Sequence, residues 1–596
     1  MVRARPVRIT LAAVTSCALI APVAQAAPQP PPKSAEAVGY GGAVSSVDPD
    51  ATSAGIEVLR RGGTAADAAV AVAAALGVTE PYSAGIGGGG YFVHYDADTG
   101  EVSTIDGRET APAAAHPEMF LDDGEPIPTA EAITSGLGVG VPGTPATWQE
   151  ALQKWGSEDL GEVLRPAERL ARDGFVVDDT FRDQTADNQE RFSAFPATRD
   201  LFLPGGRPPA TGSVFRNPGL AETYRTLADE GLDPLYRGEI GADVVDTVRN
   251  PPVDPAADRT VRPGGMTEAD LRDYRTVERE PTHVEYRGLD VYGMSPSASG
   301  GTTVGEALNI LESTDLTEQD KTQYLHRFLE SSKIGFADRD RWVGDPAFED
   351  VPTEELTGQE FADSRACLIT PDAVQPAPVA AADPRDPRPC EPQGPARGGA
   401  PYEGPNTTHL TVADAHGDVV SYTLTIEQTG GSGITVPGRG FLLNNELTDF
   451  SFAPTTPGEP DPNLPGPGKR PRSSISPTIV LQDGEPLLAA GSPGGSTIIT
   501  TVLQVLTGRL DRELSLVDAI AEPRASQRNS TATEAEPGFL AQPEADKLRG
   551  IGHEFAPAEE IGAATGVERL PDGRWIAAAE KQRRGGGSAA VVDPAF

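Results

Sequence analysis

The stretch Asn406-Thr407-Thr408-His409-Leu410-Thr411-Val412 decides how this chain is read. It opens a strand-forming segment directly after residues 370–406, which are dense in Pro, Ala, Gly and Arg and show no apolar periodicity. Such a region is expected to be an exposed, mobile tail. Strand formers then run over residues 408–413 and 419–426, separated by Ala415-His416-Gly417. A three-residue hairpin loop with Gly417 at the positive-φ position would join them. In that register Asp414 opposes Asp418, and counting back along the ladder sets Thr407 opposite Thr425 on the same face. Two threonine hydroxyls are thus expected at one end of a hairpin, beside a cleavable loop.

A threonine hydroxyl is a poor nucleophile unless a base sits beside it. Cleavage between Asn406 and Thr407 would free an α-amine, whose ordinary pKa of about 7.7–8.0 suits a base near neutral pH. The chain can reach that state unaided if the Thr407 hydroxyl attacks the Asn406 carbonyl and water resolves the ester. The tripeptide alone is not diagnostic. Asn406-Thr407-Thr408 and Asn529-Ser530-Thr531 both satisfy the N-glycosylation pattern, and Thr is an ordinary strand former.

Working outward, strands are predicted over 476–481 and 486–490 and a helix over 497–506. Residues 49–78 are helical in pattern, with Thr64 as the cap of an alanine-rich helix over 67–76. The run 85–90 is almost all glycine and leads into a strand over 91–95. Nucleotide-binding glycines follow a strand and open a helix; here the order is reversed, so close backbone packing is the expected role. Residues 147–345 are mostly helical, with helices expected over 166–172, 219–230, 267–273, 303–311 and 322–338.

The chain has 596 residues, with 49 basic against 88 acidic side chains and a formal net charge of −39. That surface excludes nucleic acid as a partner, since phosphates require Lys and Arg. It also argues against adsorption to anionic lipid. Arg3, Arg5 and Arg8 precede an apolar stretch over 9–23 and a small-residue signal at Ala24-Gln25-Ala26, so residues 1–26 read as a signal peptide. The protein is therefore expected to be secreted or extracytoplasmic. Val14-Thr15-Ser16-Cys17 offers the alternative of a lipid anchor on Cys17. No other run approaches the roughly 18 apolar residues of a membrane span. Cys367 and Cys390 remain after export and are expected to form a disulfide. Two cysteines are too few for a thiolate metal cage and no H-E-x-x-H pattern occurs, so a zinc site is not expected.

The hairpin motif, Thr407-Thr408-His409 with Tyr422-Thr423-Leu424-Thr425, resembles the start of the small subunit of the γ-glutamyltransferases, within the N-terminal nucleophile hydrolase superfamily. The resemblance continues through Gly440 to Phe450 (GFLLNNELTDF), Lys469 to Thr478 (KRPRSSISPT) and Gly491 to Ser496 (GSPGGS). Upstream it covers Asp106 to Pro112 (DGRETAP) and Phe336 to Asp340 (FADRD). It implies an α+β fold, a four-layer αββα sandwich formed jointly by a large subunit (27–406) and a small catalytic subunit (407–596) cut from one precursor. It implies that Thr407 is the nucleophile and Thr425 its hydrogen-bonding partner, with the Gly494 and Gly495 amides as the oxyanion hole. Arg108, Ser473 and Ser474 would hold the substrate α-carboxylate, and Glu427, Glu446 and Asp449 its α-ammonium. Position 427 is Glu where many members carry Asn. The implied activity is γ-glutamyl transfer from glutathione-like donors to water or an amine, with no cofactor. The 451–468 loop lacks the aromatic that closes the site in some members, so an open lid and a preference for hydrolysis are expected. Two related activities stand as alternatives, a cephalosporin or glutaryl acylase and a poly-γ-glutamate-processing enzyme.

Overall fold

The computed structural model describes residues 1, 29–317, 319–390, 403–404, 406–455, 458 and 460–594. The expected leader beyond Met1, with Cys17, and the 391–402 part of the expected tail lie outside these residues.

Strands Thr408–Asp414 and Val419–Thr425 form the expected antiparallel hairpin, with Thr408 opposite Leu424 and Ala413 opposite Val419. The Asp414 amide donates to Asp418 O, and Gly417 takes φ +106° in the loop. One Asp414 carboxylate oxygen accepts the amides of His416, Gly417 and Asp418, which locks the turn. The other accepts Ala65 N at 2.8 Å, tying the hairpin to the first turn of helix Ala65–Thr79. Thr64 and Asp67 form a capping box there, and every residue of this helix is buried. Its alanines permit that density: a Cβ added at Gly55 of the neighbouring helix Pro49–Arg60 would press on Val72.

Residues of the hairpin alternate between two cores, as a strand period of two requires. Leu410, Val412, Val420, Tyr422 and Leu424 join the core built by helices Pro49–Arg60, Ala65–Thr79, Leu160–Asp173 and Pro218–Glu230. Ala413 and Val419 join a second core with strands Thr478–Gln482 and Glu485–Gly491 and helices Gly300–Glu312, Lys321–Trp342 and Thr497–Leu510.

The two cores are separated by one long, curled sheet of thirteen strands. Strand Glu36–Ser46 is the bend. Its residues 42–45 pair with Thr408–Asp414, and its residues 36–39 pair with Trp575–Ala579. One half of the sheet runs from there through Thr408–Asp414, Val419–Thr425, Gly89–Asp96 and Glu101–Gly107. The other half runs through Thr565–Arg569, Glu485–Gly491, Thr478–Gln482 and Leu289–Gly293. The halves face each other closely enough that a Cβ at Gly491 would run into the His409 ring. Helices cover both outer faces, so the expected α+β, four-layer αββα arrangement is the one observed. Strands from both sides of Asn406 enter both halves of the sheet.

The expected mobile tail needs correction over 370–390. Cys367 and Cys390 are joined in a disulfide, with Cα atoms 5.7 Å apart. The intervening amides are held by side chains of the body: Gln375 N donates to Glu330 at 2.8 Å and Ala382 N to Asp338 at 2.6 Å. Val379 exchanges hydrogen bonds with the Asn529 side chain. A segment fixed through its backbone to neighbouring carboxylates and amides has no need of apolar periodicity, which is why the pattern misled. The 451–468 loop is likewise tied down where it is described. Asn463 bridges Asp449 O and Arg472 N, Ser451 N donates to Asn463 O, and Phe452 stacks on Phe120 at 4.4 Å.

Candidate active site

Thr407 and Thr425 end the hairpin on the face turned toward the opposite half-sheet. Their hydroxyl oxygens lie 3.3 Å apart. The Thr407 hydroxyl hydrogen-bonds to the carbonyl oxygen of Asn406, and Thr425 Oγ1 reaches the same carbonyl at 3.4 Å. Thr425 is in turn held by the Glu427 amide at 2.8 Å. The glycine run allows this: Cβ atoms at Gly88 and Gly90 would overlap the carbonyl oxygens of Thr425 and Thr423. These glycines serve close backbone approach, as their order in the sequence implied.

The peptide on the other side of the 406–407 bond is held just as firmly. Asn406 Nδ2 donates to Tyr82 O at 2.7 Å, and Ser83 Oγ donates to Asn406 Oδ1 at 3.1 Å. Arg584 spans the bond, donating to Thr407 O at 2.7 Å and to Asn406 Oδ1 at 2.6 Å. Sequence reasoning missed Arg584. It lies 177 positions beyond Thr407 and adopts a positive φ of 53°, an uncommon backbone state for a non-glycine residue. No local pattern signals it.

A pocket opens beside this bond, lined among others by Arg108, Thr407, Thr425, Ser473, Ser474 and Gly495. Glu427, Glu446 and Asp449 line it as well. Arg108 is buried, with its guanidinium forked between Glu446 and Asp449. Both acids sit on the one-turn helix Glu446–Asp449, which places them on one side of the pocket. Glu446 Oε2 and Asp449 Oδ1 have no hydrogen-bond partner among the described residues. Glu427 accepts Gly404 N at 2.5 Å and the Asn445 side-chain amide. Burial, then the neighbouring Glu446 charge, pushes the Glu427 carboxyl up to about 8. Burial also raises Glu446 and Asp449, against the opposing pull of Arg108.

Ser473 and Ser474 line the same pocket. Ser473 O accepts both the amide and the hydroxyl of Ser299. Ser474 Oγ contacts Arg339 at 2.8 Å and the carboxylate of Glu403. Gly494 and Gly495 follow strand Glu485–Gly491 and carry φ of +138° and +55°, values that favour glycine. Gly495 borders the pocket, and a Cβ there would overlap Gly404 O. The structure therefore brings together all the residues singled out from the sequence, except Gly494, which adjoins Gly495 one position outside the lining, and the distant disulfide. It adds Glu403 and Arg339, whose pairing was not legible. No group of side chains suited to a metal ion occurs among the described residues.

A hairpin-borne threonine hydroxyl set on its own preceding carbonyl, within an αββα sandwich, defines an N-terminal nucleophile hydrolase. The family model described as Gamma-glutamyltranspeptidase matches residues 51–591, and the chain belongs to that family. It is 37% identical over 574 residues to the glutathione hydrolase proenzyme of Bacillus subtilis, covering 93% of each chain. It is 36% identical to the glutathione hydrolase proenzyme of Escherichia coli over 96% of this chain and 97% of the other. Among solved structures, a cephalosporin acylase from Bacillus halodurans aligns with a TM-score of 0.81 at 27% identity, over 96% of this chain and 99% of the other.

Proposed function

We propose that this chain is a γ-glutamyltransferase with glutathione hydrolase activity that matures by cutting itself between Asn406 and Thr407. The observation that carries the reading is the Thr407 hydroxyl resting on the Asn406 carbonyl at the edge of a pocket lined by an arginine, three acids and two serines. In maturation the Thr407 oxygen bonds to the Asn406 carbonyl carbon and the 406–407 C–N bond breaks. Water then hydrolyses the ester, leaving a carboxylate on Asn406 and a free amine on Thr407. That divides the precursor into a large segment ending at 406 and a small one beginning at 407.

The freed amine accepts the hydroxyl proton as Thr407 attacks the γ-amide carbonyl of a donor. The same proton passes to the departing amine, and a γ-glutamyl ester remains on Thr407. The Gly494 and Gly495 amides stabilise the developing oxyanion; one such donor contributes about 10²–10³ in rate. Water, or the amine of an amino acid or peptide, releases the acyl group. Arg108, Ser473 and Ser474 hold the donor's α-carboxylate, while Glu427, Glu446 and Asp449 receive its α-ammonium. The free oxygens of Glu446 and Asp449 supply acceptors for that cation. No cofactor enters these steps. Residues 1–26 direct export, and no helix among the described residues is long and apolar enough to cross a membrane.

The acylase alternative rests on the likeness to the cephalosporin acylase structure. A glutaryl side chain has no α-ammonium, so an acidic wall would face nothing charged. Rates on γ-glutamyl-p-nitroanilide and its glutaryl analogue, measured on protein whose small segment begins Thr-Thr-His-Leu, test the proposal. Preference for the glutaryl compound, or an intact chain after prolonged incubation, would overturn it.

A further inference from the structure

Arg339 ends a network that the chemistry above leaves unused. Its guanidinium donates to Ser299 Oγ at 2.8 Å and Ser474 Oγ at 2.8 Å, pairs with Asp340 at 2.7 Å, and holds the carboxylate of Glu403. Arg339 and Glu403 are both buried, with side chains 2% and 5% exposed. Arg472, also buried, faces the same Asp340 at 3.4 Å, with Asp461 exerting a weaker pull. Burial opposes the Glu403 charge, yet the Arg339 and Arg472 cations outweigh it and hold the carboxyl below its ordinary range.

Glu403 belongs to the segment that leads into Asn406. It lies three positions before the bond that maturation cuts, and its neighbour Gly404 reaches across the pocket between Glu427 and Gly495. Gly404 lines the pocket that the proposed reaction gives to the donor, so on that reading this segment leaves once the 406–407 bond is broken. Its departure removes one negative charge from a buried site that contains two guanidiniums. Asp340 is then the carboxylate that both guanidiniums share, so the vacated seat favours an incoming carboxylate. The Ser474 hydroxyl, which meets the Glu403 carboxylate, is already placed at that seat.

We propose that Arg339 is a second carboxylate anchor of the donor pocket, occupied by the Glu403 side chain in the uncut chain and by the donor's α-carboxylate after cleavage. The pocket then reads a zwitterion by polarity, with Arg339 and Ser474 at its positive wall and Glu427, Glu446 and Asp449 at its negative wall. The proposal rests on the γ-glutamyl reading, and wild-type turnover of γ-glutamyl-p-nitroanilide tests that reading separately.

Two measurements test Arg339. In the matured enzyme, Arg339→Gln and Arg339→Lys are compared on γ-glutamyl-p-nitroanilide and on the analogue whose α-carboxylate is a carboxamide. Loss of a charge-assisted contact of this kind should raise KM for the acid by roughly tenfold to a hundredfold. KM for the carboxamide should change less than about twofold, with Lys recovering part of the loss. Equal losses on both compounds overturn the proposal, since a merely structural arginine would not discriminate them. Should Arg339→Gln fail to mature, matured Ser299→Ala, which removes a hydroxyl that holds the Arg339 guanidinium, is compared on the same two compounds. KM should rise by roughly threefold to tenfold for the acid and stay within about twofold for the carboxamide; equal changes overturn the proposal.

Discussion

The Thr407 hydroxyl donates to the carbonyl oxygen of the residue before it, Asn406, while Thr425 stands 3.3 Å behind it on the paired strand. In the maturation we propose, that relationship poises the uncut chain for attack on its own peptide bond. Thr407→Ala should remain a single chain indefinitely by gel analysis, and Thr407→Ser should still cut. Thr425→Ala removes the hydroxyl that contacts both the nucleophile and the carbonyl. It should slow cutting by roughly ten- to a hundredfold, the scale of one lost hydrogen bond in a buried site. Cutting of Thr407→Ala, or wild-type kinetics for Thr425→Ala, would contradict this.

Arg584 donates to the carbonyl of Thr407 and to the side chain of Asn406 at once. It therefore fixes both halves of the scissile peptide relative to the attacking hydroxyl. Arg584→Ala should lengthen the maturation half-time by roughly tenfold or more, because each bond is charge-assisted. Arg584→Lys should recover little, since an ammonium cannot fork across two acceptors. Time-resolved gels at fixed pH measure both.

These two residues mark where the sequence was legible and where it was not. The Thr407–Thr425 register followed from strand period, loop length and Gly417, all local quantities, and the observed pairing agrees. The glycine run could be read as close packing because its order relative to helix and strand is visible in the chain. Arg584 and the Arg339–Glu403 pair depend on contacts 177 and 64 positions apart, with no periodic or compositional trace. The 370–390 stretch was misread for a related reason, since its order comes from Glu330, Asp338 and Asn529 rather than from its own residues. Folds announce themselves through local periodicity; ion pairs between distant segments do not.

A methyl group at Gly495 would overlap Gly404 O, and φ of +55° disfavours a side chain there in any case. The left-handed backbone costs roughly 1–2 kcal/mol for a residue with a Cβ. The clash adds to this only while the 403–404 segment crosses the pocket. Gly495→Ala should therefore delay maturation more than it lowers kcat of protein that has already matured. A larger effect on kcat than on maturation would show that the loss lies in the Gly495 amide's place in the oxyanion hole rather than in the Gly404 clash.

Glu427 contributes to the pH dependence of stability. Its carboxyl is pushed from an ordinary value of 4.5 to about 8, chiefly by burial and then by Glu446. The folded chain thus holds a proton that the unfolded chain has released between those two values. Stability from this group is fully present below pH 4.5 and is lost as pH rises through about 8. Thr407→Ala protein, kept uncut, should melt at a lower temperature at pH 8.5 than at pH 6. Asp48, raised to about 7, pulls the same way, so the Glu427 share must be isolated by substitution. Glu427→Gln in the uncut background should reduce the difference between the two melting temperatures. An unchanged difference would remove Glu427 as the cause.

The Cys367–Cys390 bridge closes a loop spanning 23 positions, and that loop carries the amides bound by Glu330 and Asp338. Cross-linking a loop of this length stabilises a fold by about 3 kcal/mol through the unfolded chain. In a protein this large the corresponding shift in melting temperature is only about 2–4 °C. Neither cysteine lines the pocket, although Asp338 is adjacent to Arg339 in sequence. Cys390→Ser should therefore lower the melting temperature by a few degrees and leave kcat of matured enzyme within about twofold, since its energy resides mainly in the unfolded state. If instead KM for γ-glutamyl-p-nitroanilide rose together with the loss of the bridge, the 370–390 stretch would be holding Asp338, and through it Arg339, in the geometry that the donor requires.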